Sequence, residues 1–364
     1  LSSFASGFLL YGIALLFGTT STGDLTAIRA FLGSHPFDPA SGSGPILLAS
    51  IALLLVGFAF KVSAVPFQAW TPDVYVGAPT PVTAFMSVGT KVAAFAAFAR
   101  VFVYALHPLI NTWQPLVWAL AVITMIVGNV LAVSQTNVKR MLAYSSVANA
   151  GYMLIAIAIG TQAGVAALLV YLATYAAVNV GAFGALAVIE RKGGRGHMLN
   201  DLAGLSQREP FVAACFAILL MGLAGIPLLS GFIGKFAVFV AAVQGGHFEL
   251  ALIGALASLL GFYYYLRVIW AMYFTGTPSV PAPIAEPAPT RATAAGAVAL
   301  AERPAPEAIR ATVATGEELR PSPFGRVGLA LSVAATLTLG ILPFLISGPA
   351  ATAAKALFPL VSGR

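Results

Sequence analysis

Long apolar runs, parted by short polar breaks, fill most of this chain. Crossing the ~30 Å hydrocarbon core of a bilayer takes roughly 20 helical residues. Nine runs qualify: 1–18, 45–70, 79–106, 113–134, 139–160, 164–190, 209–244, 247–274 and 324–348. The pattern predicts an all-α, polytopic transmembrane helix bundle. Trp70, Tyr104, Trp113 and Tyr273 stand near run ends, where aromatic rings anchor at the membrane interface. The first run begins at Leu1 with neither an initiator methionine nor a basic leader, which reads as a truncated amino end.

Two runs are interrupted. Residues 209–244 would form a rod of ~54 Å, too long for one upright crossing. They contain Gly225-Ile226-Pro227 and then Ser230-Gly231-Phe232-Ile233-Gly234-Lys235. Proline removes a backbone donor and glycine loosens the chain, so a break in mid-membrane is expected there. Run 45–70 carries Lys61 and, five residues on, Pro66. A long tilted helix with a proline kink is the plainer alternative, but a lysine beside each interruption favours functional breaks. Two discontinuous helices running in opposite directions suggest an inverted repeat. The organisation expected is a transmembrane bundle over 1–274, a Pro/Ala-rich loop over 275–323, and a last transmembrane helix with its tail over 324–364. Nine of the 23 prolines fall in the loop, which cannot bury an apolar face.

Composition sharpens the class. Charged residues make up only 9% of the 364, against roughly 25% in globular chains. A soluble fold of this size could not cover its surface with so few. The net charge of +7 forms no basic stripe, which argues against nucleic acid as a partner. Cys215 is alone, and His35, His107, His197 and His247 lie too far apart for metal-ligand spacing, so no metal is expected. Basic residues do set an orientation. One set of alternate loops and loop edges carries Lys139, Arg140, Arg191, Lys192, Arg195 and Arg208, with Arg291, Arg303, Arg310, Arg320 and Arg326 in or beside the long loop. The opposite set carries Arg29, Lys355 and Arg364. The richer set is expected to face the cytoplasm, with the long loop discounted.

Five cations remain inside spans: Lys61, Lys91, Arg100, Lys235 and Arg267. A charge at mid-bilayer costs at least ~2.5–3.5 kcal/mol on insertion scales. Arg100 and Arg267 lie near span ends, where a long stem snorkels to the interface. Lys91 is too deep for that, and Lys61 and Lys235 reach water only through a cavity or a break. Desolvation disfavours the ammonium form. A lysine poised between charged and neutral forms can take and release a proton, which arginine cannot. The three lysines therefore read as a hydrated proton relay. Ser63, Gln68, Thr83, Ser87, Thr90, Thr124, Asn129, Ser145, Ser146, Asn149, Tyr152, Thr174 and Asn179 could support it. Singly, each reads equally well as a helix-packing residue.

Around these residues the chain resembles a known family. The stretch Phe60–Tyr75, with Lys61, Pro66, Gln68, Trp70, Pro72 and Asp73, continues into Gly77-Ala78-Pro79-Thr80-Pro81-Val82. Further on stand Ser134–Ser146, Gly225-Ile226-Pro227, Gly231–Phe236 and Tyr263–Arg267. In this order they resemble the N subunits of bacterial NADH:quinone oxidoreductase, respiratory complex I, an antiporter-like family. The resemblance implies a fourteen-helix fold of which this chain holds helices six to fourteen. Its relay lysines fall on Lys61, Lys91 and Lys235, with a glutamate preceding Leu1 as the partner of Lys61. Gln68 and Asn149 stand where relatives often carry histidine, and an amide can hold water but does not titrate. The resemblance further implies proton translocation coupled to NADH oxidation by quinone in the bacterial inner membrane. NAD, FMN, Fe–S clusters and quinone would be held by partner subunits, with no redox centre or cofactor in this chain. Its neighbours would be other membrane-arm subunits, especially of the M and K types, and the lipid bilayer. An Mrp-type cation/proton antiporter subunit is the competing reading, and an inert membrane scaffold a third.

Overall fold

The computed structural model describes residues 2–35, 38, 42–190, 196–276 and 323–357. Residues 277–322, nearly all of the expected long loop, lie outside the described residues. So do Arg191, Lys192, Arg195 and the end of the tail with Arg364. Every named element is helical, with one isolated bridge between Asn137 and Met198. In chain order they are α1 (Ser2–Thr20), α2 (Leu25–Ser34), α3 (Gly44–Val62), α4 (Trp70–Gly77), α5 (Thr80–Phe98), α6 (Ile110–Val133), α7 (Val138–Ala158) and α8 (Gln162–Ile189). After these come α9 (Leu205–Arg208), α10 (Pro210–Ala224), α11 (Ser230–Gln244), α12 (Phe248–Phe274), α13 (Pro323–Ile341) and α14 (Phe344–Leu357).

Among the described residues, eight helices are long and apolar enough to cross a membrane. The ninth expected passage is α10 with α11. At 15 residues each, neither half reaches across alone. Buried on nearly every side, α7 is the axis of the bundle, as an all-round apolar helix must be. It packs against α6, α8, α4 and α11, while α1 covers α3 and α13 lies on α8.

Both expected breaks are present. Gly225 ends α10 at φ 92°, a left-handed conformation that glycine adopts without a Cβ clash. α3 ends at Ser63, φ 66°, and the freed backbone is tied locally. Val65 N donates to Thr124 Oγ1 at 3.0 Å, and Thr71 Oγ1 donates to Ser63 Oγ at 2.7 Å.

Several boundaries differ from the sequence reading. The expected loop 71–78 is largely the helix α4, the second half of the broken 45–70 passage. Trp70 Nε1 holds it to Phe60 O at 3.0 Å, and Tyr75 is buried beneath it. Run 79–106 ends in a π-helical stretch, Ala99–Ala105, that leaves Arg100 exposed. The interval between the first two runs holds α2, capped by Asp24 accepting from Ala27 N at 2.8 Å and burying Ile28 and Leu32. The last run is not one rod: Pro343 interrupts it, and α14 carries the helix on to Leu357.

Candidate functional site

The inner faces of α5, α7, α8, α10, α11 and α12 converge on a buried polar cluster. Lys91, on α5, is 1% exposed. Its Nζ donates to the Ser146 carbonyl and, at 2.6 Å, to Ser146 Oγ. Tyr175, on α8, donates to the same Oγ at 2.8 Å, and Lys91 Nζ lies 5.7 Å from the Tyr175 ring centroid. One hydroxyl thus joins an amine to a phenol.

Lys235 is 7% exposed, and the helix break serves it directly. From the first turns of α11 it reaches back to the end of α10, donating to Leu223 O at 3.2 Å and Ala224 O at 3.0 Å. Carbonyls left free at a helix C-terminus are the negative end of its dipole and favour a cation. The Tyr152 ring lies 5.1 Å from Nζ. Between the two lysines lies a cavity of about 10 Å³ lined by Asn149, Tyr171, Thr174, Tyr175 and Lys235. That volume is at the threshold for one water, and Val178, Leu223 and Gly231 complete a lining to which the polar side chains contribute the smaller part.

The expected supporting residues join this cluster unequally. Asn149 Nδ2 donates to Ser145 O at 2.9 Å, Tyr171 donates to Asn149 Oδ1 at 2.7 Å, and Ser145 Oγ pairs with Tyr265. A second branch runs from Tyr264 to Asn129 Oδ1 at 3.1 Å and from Asn129 Nδ2 to Tyr152 at 3.2 Å. Gln68 is half-buried near the α3 break, with Oε1 unpaired among the described residues. Pro66 and Pro227 sit exposed in the two breaks, and Gly225 and Gly231 flank Lys235's carbonyl partners.

Lys61 departs from expectation. It is exposed, and it does not share the interior with Lys91 and Lys235. Phe58 and Val62, one turn apart on α3, face the core and leave Lys61 on the flank. Arg267 also differs. Rather than only snorkelling, it donates to Val133 O at 2.9 Å and to Gln135 O, closing the end of α6.

Sequence reasoning missed the tyrosines on α8 and counted Lys139 as a charge at a span end beside a loop. Tyr171 and Tyr175 stand four apart, a one-face spacing that was available as a signal. Lys139 is 2% exposed and donates to Ala78 O at 2.7 Å, where α4 ends. Replacing it with alanine leaves that carbonyl, and Val76 O at 3.4 Å, without their cation. The assembled protein is expected to lose about 1–3 kcal/mol of stability, read as an earlier thermal melt, and an unmoved melt would refute the capping role. Close by, His197 is buried in the segment after α8, with Nε2 4.0 Å from Glu190 Oε1. Burial holds its imidazole below the ordinary value, against the pull of Glu190.

Comparison with known proteins places this geometry. A family described as NADH:quinone oxidoreductase/Mrp antiporter, transmembrane, matches residues 1–261. The chain belongs to that family. NADH-quinone oxidoreductase subunit N 1 of Solibacter usitatus is 48% identical over 287 residues, covering 79% of this chain and 58% of the relative. The chain therefore spans little more than half the length of the curated relatives it matches. A chain in the structure of respiratory complex I from Thermus thermophilus with bound aureothin is 30% identical, with a TM-score of 0.69, covering 95% of this chain and 66% of its own. A chain of the Mrp complex from Dietzia sp. DQ12-45-1b is 27% identical, with a TM-score of 0.76, covering 99% of this chain and 67% of its own. The chain shares its fold with the two solved chains.

Proposed function

We propose that this chain is part of a membrane-arm subunit of a bacterial NADH:quinone oxidoreductase and carries protons through a relay built on Lys91 and Lys235. The observation that carries the reading is a pair of buried amines, one bonded to a hydroxyl cluster and the other held by backbone carbonyls across a small cavity from it. Lys91 meets Ser146 and Tyr175, and a water-sized cavity separates Tyr175 from Lys235. A proton can pass along such a line by exchange between neighbouring hydrogen bonds, with each lysine alternating between ammonium and amine. Burial makes that alternation accessible, because it removes the water that would otherwise hold the ammonium form. Lys61 would join the relay only against a further wall of protein, which the greater length of the relatives can supply.

Electron transfer would take place elsewhere in the assembly. NAD, FMN, Fe–S clusters and quinone belong to partner subunits, and M- and K-type subunits are the neighbours expected in the bacterial plasma membrane. The subunit N relatives, at 46–48% identity, favour this reading over an Mrp-type antiporter. The 1–274 bundle would hold the relay. Tyr175→Phe tests the line. It keeps the ring beside Lys91 and removes only the hydroxyl that meets Ser146. Proton translocation per NADH oxidised, measured in vesicles bearing the assembled complex, is expected to fall severalfold. Full translocation would show that protons do not pass Tyr175.

A further inference from the structure

The break that serves Lys235 is closed by a turn with a strained backbone. Ile226 O accepts from Leu229 N at 3.2 Å, with Pro227 and Leu228 between them. Proline suits the second place of such a turn, because its ring fixes φ there. Leu228 takes the third place at φ 72°, a conformation that glycine enters freely and other residues seldom adopt. Its own side chain does not hold it there, being 71% exposed. A backbone in this state persists only where its surroundings over-determine it.

Those surroundings are α13, which packs against both halves of the broken passage. Ser332, Thr336 and Gly340 stand four apart on one face of that helix. Thr336 is fully buried, and a Cβ on Gly222, near the end of α10, would stand 3.4 Å from its Cγ2. One turn further, Leu228 O occupies the space that a Cβ on Gly340 would take. Leu228 C and Leu229 C would be only 2.7 and 2.8 Å from that Cβ. Room is not short all along the helix. A Cβ on Gly328 would meet nothing within 4 Å.

We propose that Gly340 is a positioning residue for Lys235. The side chain it lacks leaves a notch in α13, the Leu228–Leu229 peptide seats in that notch, and the seated turn holds α11 in register with the end of α10. The inference rests on the proton-carrying reading of Lys235. Leu223 and Ala224, whose carbonyls accept from Lys235 Nζ at 3.2 and 3.0 Å, lie just before the turn. Lys235 lies six residues after Leu229. The turn therefore joins the amine to its acceptors, and any tilt of it is carried into both hydrogen bonds, which weaken steeply when bent.

The test uses the assembled complex in sealed membrane vesicles. Gly340→Ala is expected to lower proton translocation per NADH oxidised severalfold and to melt earlier, while Gly328→Ala, on the same helix, changes neither. Leu228→Gly added to Gly340→Ala should restore most of the translocation and the melt. Glycine has a wide range at positive φ, so the peptide can tilt off the new methyl group while its neighbours stay in place. Leu228→Ala should restore nothing, because alanine keeps the narrow left-handed range of leucine. Full translocation by Gly340→Ala would overturn the proposal. So would equal rescue by Leu228→Ala, which would make the obstacle the leucine side chain. Loss of assembly that Leu228→Gly does not repair would also overturn it, since Gly340 would then serve the packing of α13 alone. Normal translocation by Lys235→Ala, in contrast, would remove Lys235 from proton carrying while the melts still report the seated turn.

Discussion

Lys91→Ala is expected to assemble and to lose nearly all proton translocation. The ammonium holds three things at once: the Ser146 carbonyl, the Ser146 hydroxyl and the face of Tyr175. Alanine removes the only titratable amine on this segment of the line and leaves the hydroxyls of Ser146 and Tyr175 bonded to each other. A positioned acid–base group contributes roughly 10²–10⁴-fold to proton transfer, so a loss of that order is expected. Lys91→Arg separates charge from chemistry. Arginine retains the cation and the contact with the ring, yet cannot be deprotonated in proteins. It should therefore pump no better than alanine. The measurement is acidification of vesicles per NADH oxidised, with the amount of assembled complex determined alongside. Wild-type acidification by either variant would remove Lys91 from the relay, and rescue by arginine would make its role one of fixed charge.

Gly231→Ala is expected to disable Lys235 without touching it. A Cβ at Gly231 would fall on the Gly222 carbonyl, within the distance that real Cβ atoms keep clear. The start of α11 would have to slide away from α10. Overpacking of this kind costs about 1–3 kcal/mol. The slide would also part Lys235 Nζ from Leu223 O and Ala224 O, now at 3.2 and 3.0 Å. Those carbonyls are the partners that stabilise its charged form. The variant should melt earlier than the parent and translocate protons about as poorly as Lys235→Ala. An unchanged melt together with full translocation would show that the close approach of the two half-helices is not required.

The passages and their two breaks were legible in the residue order. Counting apolar residues located the passages, and Gly225, Pro227 and Pro66 marked the two breaks. The same count picked out Lys91 as too deep to reach the interface and left Lys61 and Lys235 water only through a cavity or a break. Lys91 and Lys235 are buried, and Lys61 is exposed. Depth is a one-dimensional quantity, fixed by how many helical residues separate a side chain from the nearest polar loop. Pairing between helices is not of that kind. Ser146 is 55 residues from Lys91, 29 from Tyr175, and beside Ser145, which meets Tyr265 120 residues on. Which face of each helix turns to which neighbour depends on crossing angles and side-chain volumes, summed over the whole bundle. For that reason Lys61 could be counted among the deep charges and still lie exposed on the flank of α3. Lys139 could be placed at a span end and still be buried against the last carbonyls of α4. The order of residues determined how deep each charge sits, and only the packed bundle decided what each charge meets there.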